Sequence, residues 1–142
     1  MRPALPAYAV AWLLAVPVAA RATDVEVHVR TVSSTAGEVR ALLFGRTNWL
    51  SDNPTYAATV PAQPGEVVLV VRNVAPGTYG VVGHHDADND GDVTRNFLGL
   101  PVEGIGFSNG VRIGLRAPRF DEAAVNVSGA RMVVTITLQF ER

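Results

Sequence analysis

The stretch Arg131-Met132-Val133-Val134-Thr135-Ile136-Thr137-Leu138-Gln139-Phe140 has an apolar side chain at every second position from Met132 to Phe140, with Arg131, Val133, Thr135, Thr137 and Gln139 between them. Successive side chains of an extended chain point to opposite faces, so a period of two sends one row inward and the other outward, whereas a helix needs a period near 3.6. The segment predicts a half-buried C-terminal strand. The same alternation recurs far upstream, where Val25, Val27 and Val29 oppose Glu26, His28 and Arg30, which turns His28 toward solvent. Between these two, Val39 to Phe44 reads as a strand, and Val67 to Val71 is a continuous β-branched and Leu run suited to a central strand covered on both faces. Pro76-Gly77 makes a tight turn into a further strand, Thr78 to His84. No stretch shows helical periodicity. With 13 Gly and 9 Pro separating short β-rich segments, the expectation is an all-β fold, a single antiparallel sandwich of about seven strands. Two segments break the strand pattern: Gly45 to Tyr56, carrying Trp49, and a long acidic loop from 86 to 119. Loops of that length in a compact domain are functional or tied down.

Residues 1–22 combine a basic start (Arg2), an apolar stretch from Ala7 to Ala20 and the small-residue pattern Ala20-Arg21-Ala22, the composition of a secretory signal peptide cleaved before Thr23. Pro17 interrupts the apolar stretch, which falls short of the roughly 20 residues a spanning helix needs, and no later segment is apolar enough to span. Residues 23–142 then make one domain with one core, and the protein is expected outside the cytoplasm, periplasmic or extracellular, as a monomer. Without Arg2 and Arg21, 10 Arg face 13 acidic residues, a net charge of about −3 with no Lys, which argues against nucleic acid as a partner. There is no Cys, so an exported domain of this size must rely on its core and on any ion it holds.

The chemistry concentrates in His85-Asp86-Ala87-Asp88-Asn89-Asp90-Gly91-Asp92-Val93-Thr94, where aspartates occupy every second position from 86 to 92. Like charges this dense repel one another unless something positive sits among them, and hard oxygen ligands in a loop bent at Gly suit Ca²⁺. Asp86, Asp88 and Asp90 fall at positions 1, 3 and 5 of a calcium loop, Gly91 at the sharp turn, and Asp92 offers its backbone carbonyl at position 7. Thr94 falls at position 9. Position 12, a bidentate Glu in an EF-hand, is Phe97, and neither flank is helical, so this is no EF-hand; Glu103, beyond the turn, supplies the missing carboxylate.

His84 and His85 precede the aspartates and suggest a second reading, a metal-dependent hydrolase using His85 and the Asp cluster. Adjacent strand residues point to opposite faces, so the two imidazoles cannot share one ion; the expected task of His85 is to hydrogen-bond the loop or a ligating carboxylate. Gly106-Phe107-Ser108-Asn109-Gly110 matches the G-x-S-x-G nucleophile elbow in letters only, since that motif needs a large α/β sheet and a His later in the chain. Trp49, Tyr56 and Phe107 read as aromatics closing the ends of the sandwich core, and Phe107, Ser108 and Asn109 as a loop patch offered to a protein or carbohydrate.

Pro76-Gly77-Thr78-Tyr79 leads to His85-Asp86, followed by the Asp/Asn/Gly loop, Asn96-Phe97-Leu98-Gly99-Leu100-Pro101 with Glu103, Gly106-Phe107-Ser108-Asn109, and Pro118 with Phe120-Asp121-Glu122-Ala123. This succession resembles a family of small exported bacterial proteins, domain of unknown function 2141. The resemblance implies an immunoglobulin-like or transthyretin-like sandwich and no assigned activity. This chain departs from it with Asp88 and Asp90 where relatives carry Asn, Thr94 where they carry an acid, and His84 where they carry an apolar residue. The resulting expectation is an exported, non-enzymatic binding or envelope-associated module with a structural calcium loop.

Overall fold

A computed structural model describes residues 2–15, 21–91 and 103–140. Eight strands form two facing sheets: β1 (Thr23–Val32), β2 (Glu38–Phe44), β3 (Tyr56–Pro61), β4 (Gly65–Val74), β5 (Gly77–Asp86), β6 (Ile105–Phe107), β7 (Ala124–Val127) and β8 (Arg131–Thr137). One sheet has the order β4-β1-β8 and the other β3-β2-β5-β6, with β7 also paired to β5. The fold is the expected all-β sandwich. The alternating rows of β1 and β8 do what the pattern requires: Val25, Val27, Val29, Val134 and Ile136 are buried against Val39, Ala41 and Leu43 of β2 and Tyr79 and Val81 of β5. Burying a Val or Leu side chain stabilises by roughly 1.5–3 kcal/mol, so this inner layer is the main source of stability. The phenol of Tyr79 donates to the Ala75 carbonyl at 2.7 Å, closing the β4–β5 turn much as a tyrosine corner does in immunoglobulin-like sandwiches.

Four features differ from expectation. First, the sandwich is not wholly antiparallel, because β1 and β8 pair in parallel from Asp24↔Arg131 to Arg30↔Thr137; parallel neighbours need a long crossover, and here the remaining strands supply it. Second, the Val67–Val71 run belongs to an edge strand of the β4-β1-β8 sheet, and Val68 on its outer face is 44% exposed. Third, the strand covered on both faces is β5, buried from Tyr79 to Asp86. Its outer face carries a second core of Phe44, Val82, Ile105, Phe107 and Ala123, roofed by Trp49 and Ile113. Trp49 stands edge-on to Phe44 and Phe120 at 5.7 and 5.8 Å, and its indole N–H donates to the Pro118 carbonyl at 2.8 Å. Gly80 makes this possible, since a β-carbon there would stand 2.3 Å from the Trp49 ring. Fourth, the stretch 86–119 is not one loop: β6 lies within it and pairs with the upper half of the β5 edge, above β7, which pairs with the lower half. A single helical turn, α1 (Phe120–Ala123), follows, too short to leave a period in the sequence.

Candidate functional site

The last residues of β5 place the acidic cluster. Even-numbered residues of β5 face the second core, so His84 and Asp86 point to the outer side and His85 to the inner side. Asp86 is buried, and its carboxylate folds the following loop back on itself, with Oδ2 accepting from Gly91 N–H at 2.8 Å and Oδ1 from Asp90 N–H at 3.3 Å. Asn89 and Gly91 both adopt left-handed conformations, at φ 57° and 76°, which gives the sharp turn expected at Gly91. Arg40 Nη1, from the neighbouring strand β2, donates to the Gly91 carbonyl at 2.8 Å and ties the loop to the sheet.

Within this frame carboxylate oxygens of Asp86, Asp88, Asp90 and Glu103 all lie within 4.8 Å of one another. Glu103 arrives from beyond the loop just before β6, and His84 Nε2 holds its Oε2 at 2.8 Å. The two other proposed ligands, Asp92 and Thr94, lie outside the described residues. Four oxygens at this spacing form a donor set able to hold a metal ion, because opposite ligands of an ion bound at 2.3–2.6 Å stand at most about 5 Å apart.

The task expected of His85 falls to His84. His84 is the imidazole that positions a cluster carboxylate. His85 Nε2 hydrogen-bonds the Ala36 carbonyl at 2.7 Å on the inner side, with Ser33 Oγ 3.5 Å from Nδ1, so it serves the β1–β2 turn. A hydrolase using His85 at the cluster therefore has its base on the wrong face, and the Nε2 of His84 is already engaged by Glu103. Alternation showed that the two rings part company, but not which faces the cluster; that depends on which side of β5 the cores cover.

Gly106–Gly110 is structural throughout. The Ser108 hydroxyl is fully buried, accepts from Val81 N–H at 3.0 Å and donates to the Ala123 carbonyl, so it pins α1 to β5 and is no nucleophile. Phe107 is buried in the second core, and Asn109 Nδ2 donates to the Glu122 and Ala124 carbonyls at 3.1 and 3.0 Å. Phe107, Ser108 and Asn109 therefore do not form the binding patch expected of them, because folding uses Phe107 and Ser108 to close the sandwich. Beside the cluster a cleft of roughly 530 Å³ lies over the outer face of β2 and β5, lined by Arg40, His84 and Asp90 together with Phe44 and Phe107.

Fold and site together define a two-sheet β-sandwich carrying a carboxylate cluster at one end of its central strand. Residues 27–135 match the family model described as uncharacterized protein conserved in bacteria (DUF2141), and the chain belongs to that family. No curated protein and no solved structure matches it.

Proposed function

We propose that this protein is an exported, non-enzymatic β-sandwich whose acidic loop holds Ca²⁺ as a structural staple, in a module that binds a protein or carbohydrate partner at the cell envelope. The observation that carries the reading is the convergence of Asp86, Asp88, Asp90 and Glu103, two from inside the domain and two from the loop tip, on one small volume. Oxygen-only ligands on a Gly-bent loop favour Ca²⁺ over Zn²⁺, which prefers nitrogen and sulfur, and over Mg²⁺, which demands a tight octahedron. The Asp92 carbonyl and the Thr94 hydroxyl complete the shell in this reading. Export is supported by the composition of residues 1–22, by the exposure of every described residue before Thr23, and by the burial of Thr23 at the start of β1. Among the described residues no helix is long and apolar enough to cross a membrane.

Extracellular modules bind Ca²⁺ with constants of about 10⁻⁴–10⁻³ M, and tenfold saturation over such a constant adds about 1.4 kcal/mol. The test is a thermal melt of the full chain in EDTA, then with Ca²⁺, Mg²⁺ or Zn²⁺, beside the Asp88→Ala, Asp90→Ala double variant, which removes two exposed ligands and leaves Asp86 in place. A rise of about 5 °C with Ca²⁺, absent in the variant, is the expected result. An unchanged midpoint with every ion overturns the reading, and a preference for Zn²⁺ transfers it to a metal-assisted enzyme.

A further inference from the structure

On the outer face of the β4-β1-β8 sheet, far from the acidic cluster, both ring nitrogens of His28 sit on carboxylates. Nε2 is 2.6 Å from Glu26 Oε1 on the same strand, and Nδ1 is 2.8 Å from Glu66 Oε1 on β4. An ionised carboxylate only accepts, and a neutral imidazole has one N–H and one bare lone pair. Two such contacts require the doubly protonated ring. Each carboxylate is also held from its far side: Arg131 Nη2 of β8 donates to Glu26 Oε2, and Arg30 Nε donates to Glu66 Oε2 at 2.9 Å. Charges thus alternate in the order Arg131, Glu26, His28, Glu66, Arg30 across three strands. The register partners of His28, Val68 on β4 and Thr135 on β8, are uncharged, as are Val70 and Val133 opposite Glu26 and Thr137 opposite Arg30. The remaining charged pair of this face, Asp24 with Arg72, adjoins the row at its Arg131 end, where Asp24 is the register partner of Arg131.

The position of this row matters because the β1–β4 ladder shifts register between Val29 and Val32, beside Thr31 in a left-handed conformation at φ 62°. Backbone pairing is interrupted there, and Glu66 is the second residue of an edge strand. We propose that Glu26, His28 and Glu66 form a proton-operated clasp, closed while the ring holds both protons, when it ties the first residues of β4 to β1 across the bulge, and loosened to a single carboxylate contact once one proton leaves. When the ring is neutral its lone pair faces a carboxylate, so one of the two contacts breaks. The two carboxylates hold the ring's pKa above its ordinary value near 6.5. The sign follows: a raised folded pKa gives a contribution fully present below pH 6.5, lost as pH rises through the folded value.

Imidazole resonances of the full chain, followed by NMR from pH 5 to 9 and assigned through their loss in His28→Gln, test the clasp. The expected midpoint lies above 6.5, moves back toward 6.5 in Glu66→Gln, and is shared by the backbone amide shifts of Gly65 and Glu66. A wild-type midpoint at or below 6.5 overturns the proposal. So do Gly65 and Glu66 amides that ignore the titration, which would make His28 a surface charge with no hold on β4.

Discussion

Gly37 stands where no side chain fits: a β-carbon there would lie 1.9 Å from the Asp86 carbonyl oxygen and 2.8 Å from Ala87, and its φ is 68°. The β1–β2 turn is thus pressed against the point where the acidic loop leaves β5, with His85 hydrogen-bonding Ala36 beside it. Gly37→Ala should cost about 2–4 kcal/mol in denaturant unfolding, the sum of a left-handed Ala and backbone overpacking. Gly129→Ala, at φ 80° with open space around it, should cost only about 1 kcal/mol; equal losses would show that contact with the loop is irrelevant. At this scale the grouping of Asp86, Asp88 and Asp90 was legible from their spacing, whereas Glu103 was legible only as a carboxylate from beyond the turn and needed the fold to bring it in. The roles of Arg40 and His84 were not, since each depends on which residue lies across a strand pair from it.

At the scale of elements, α1 is a single turn that cannot stand alone and is held by its neighbours. Glu122 accepts from Arg119 N–H at 2.6 Å and from both Arg116 terminal nitrogens at 3.0 and 2.9 Å. These contacts lower its pKa from 4.5 to about 2. A depressed carboxylate contributes stability above its ordinary value and loses it as pH falls through the folded one. Trp49, packed on Phe120, reports on this region in a chain beginning at Thr23, which lacks the exposed Trp12: the acid pH at which its emission moves red should lie higher in Glu122→Gln than in the wild type. An identical acid profile in the two would refute the role given to Glu122. The strands β1 and β8 were legible because each has one wet and one dry face. β4 was misplaced and the double cover of β5 was not foreseen: the Val-Leu run of β4 lies at an edge, while β5, broken by Gly80 and Gly83 and ending His84-His85-Asp86, gains its outer cover from loops whose packing on Trp49 leaves no periodic trace.

For the molecule as a whole, every described residue before Thr23 is exposed, whereas Thr23 is fully buried and its hydroxyl donates to the Gly129 carbonyl at 2.6 Å. A chain beginning at Thr23 should therefore unfold within about 0.5 kcal/mol of the full-length one, and a larger loss in denaturant melts would mean that the leading segment belongs to the fold. The parallel pairing of β1 with β8 has a mechanical consequence. The start of β1 and the end of β8 lie at opposite ends of the same ladder, so tension applied through the two termini runs along the strands and loads the pairs from Asp24↔Arg131 to Arg30↔Thr137 together. The sandwich must then yield by shear instead of peeling open one bond at a time, which makes it a stiff link between whatever is fastened to its two ends.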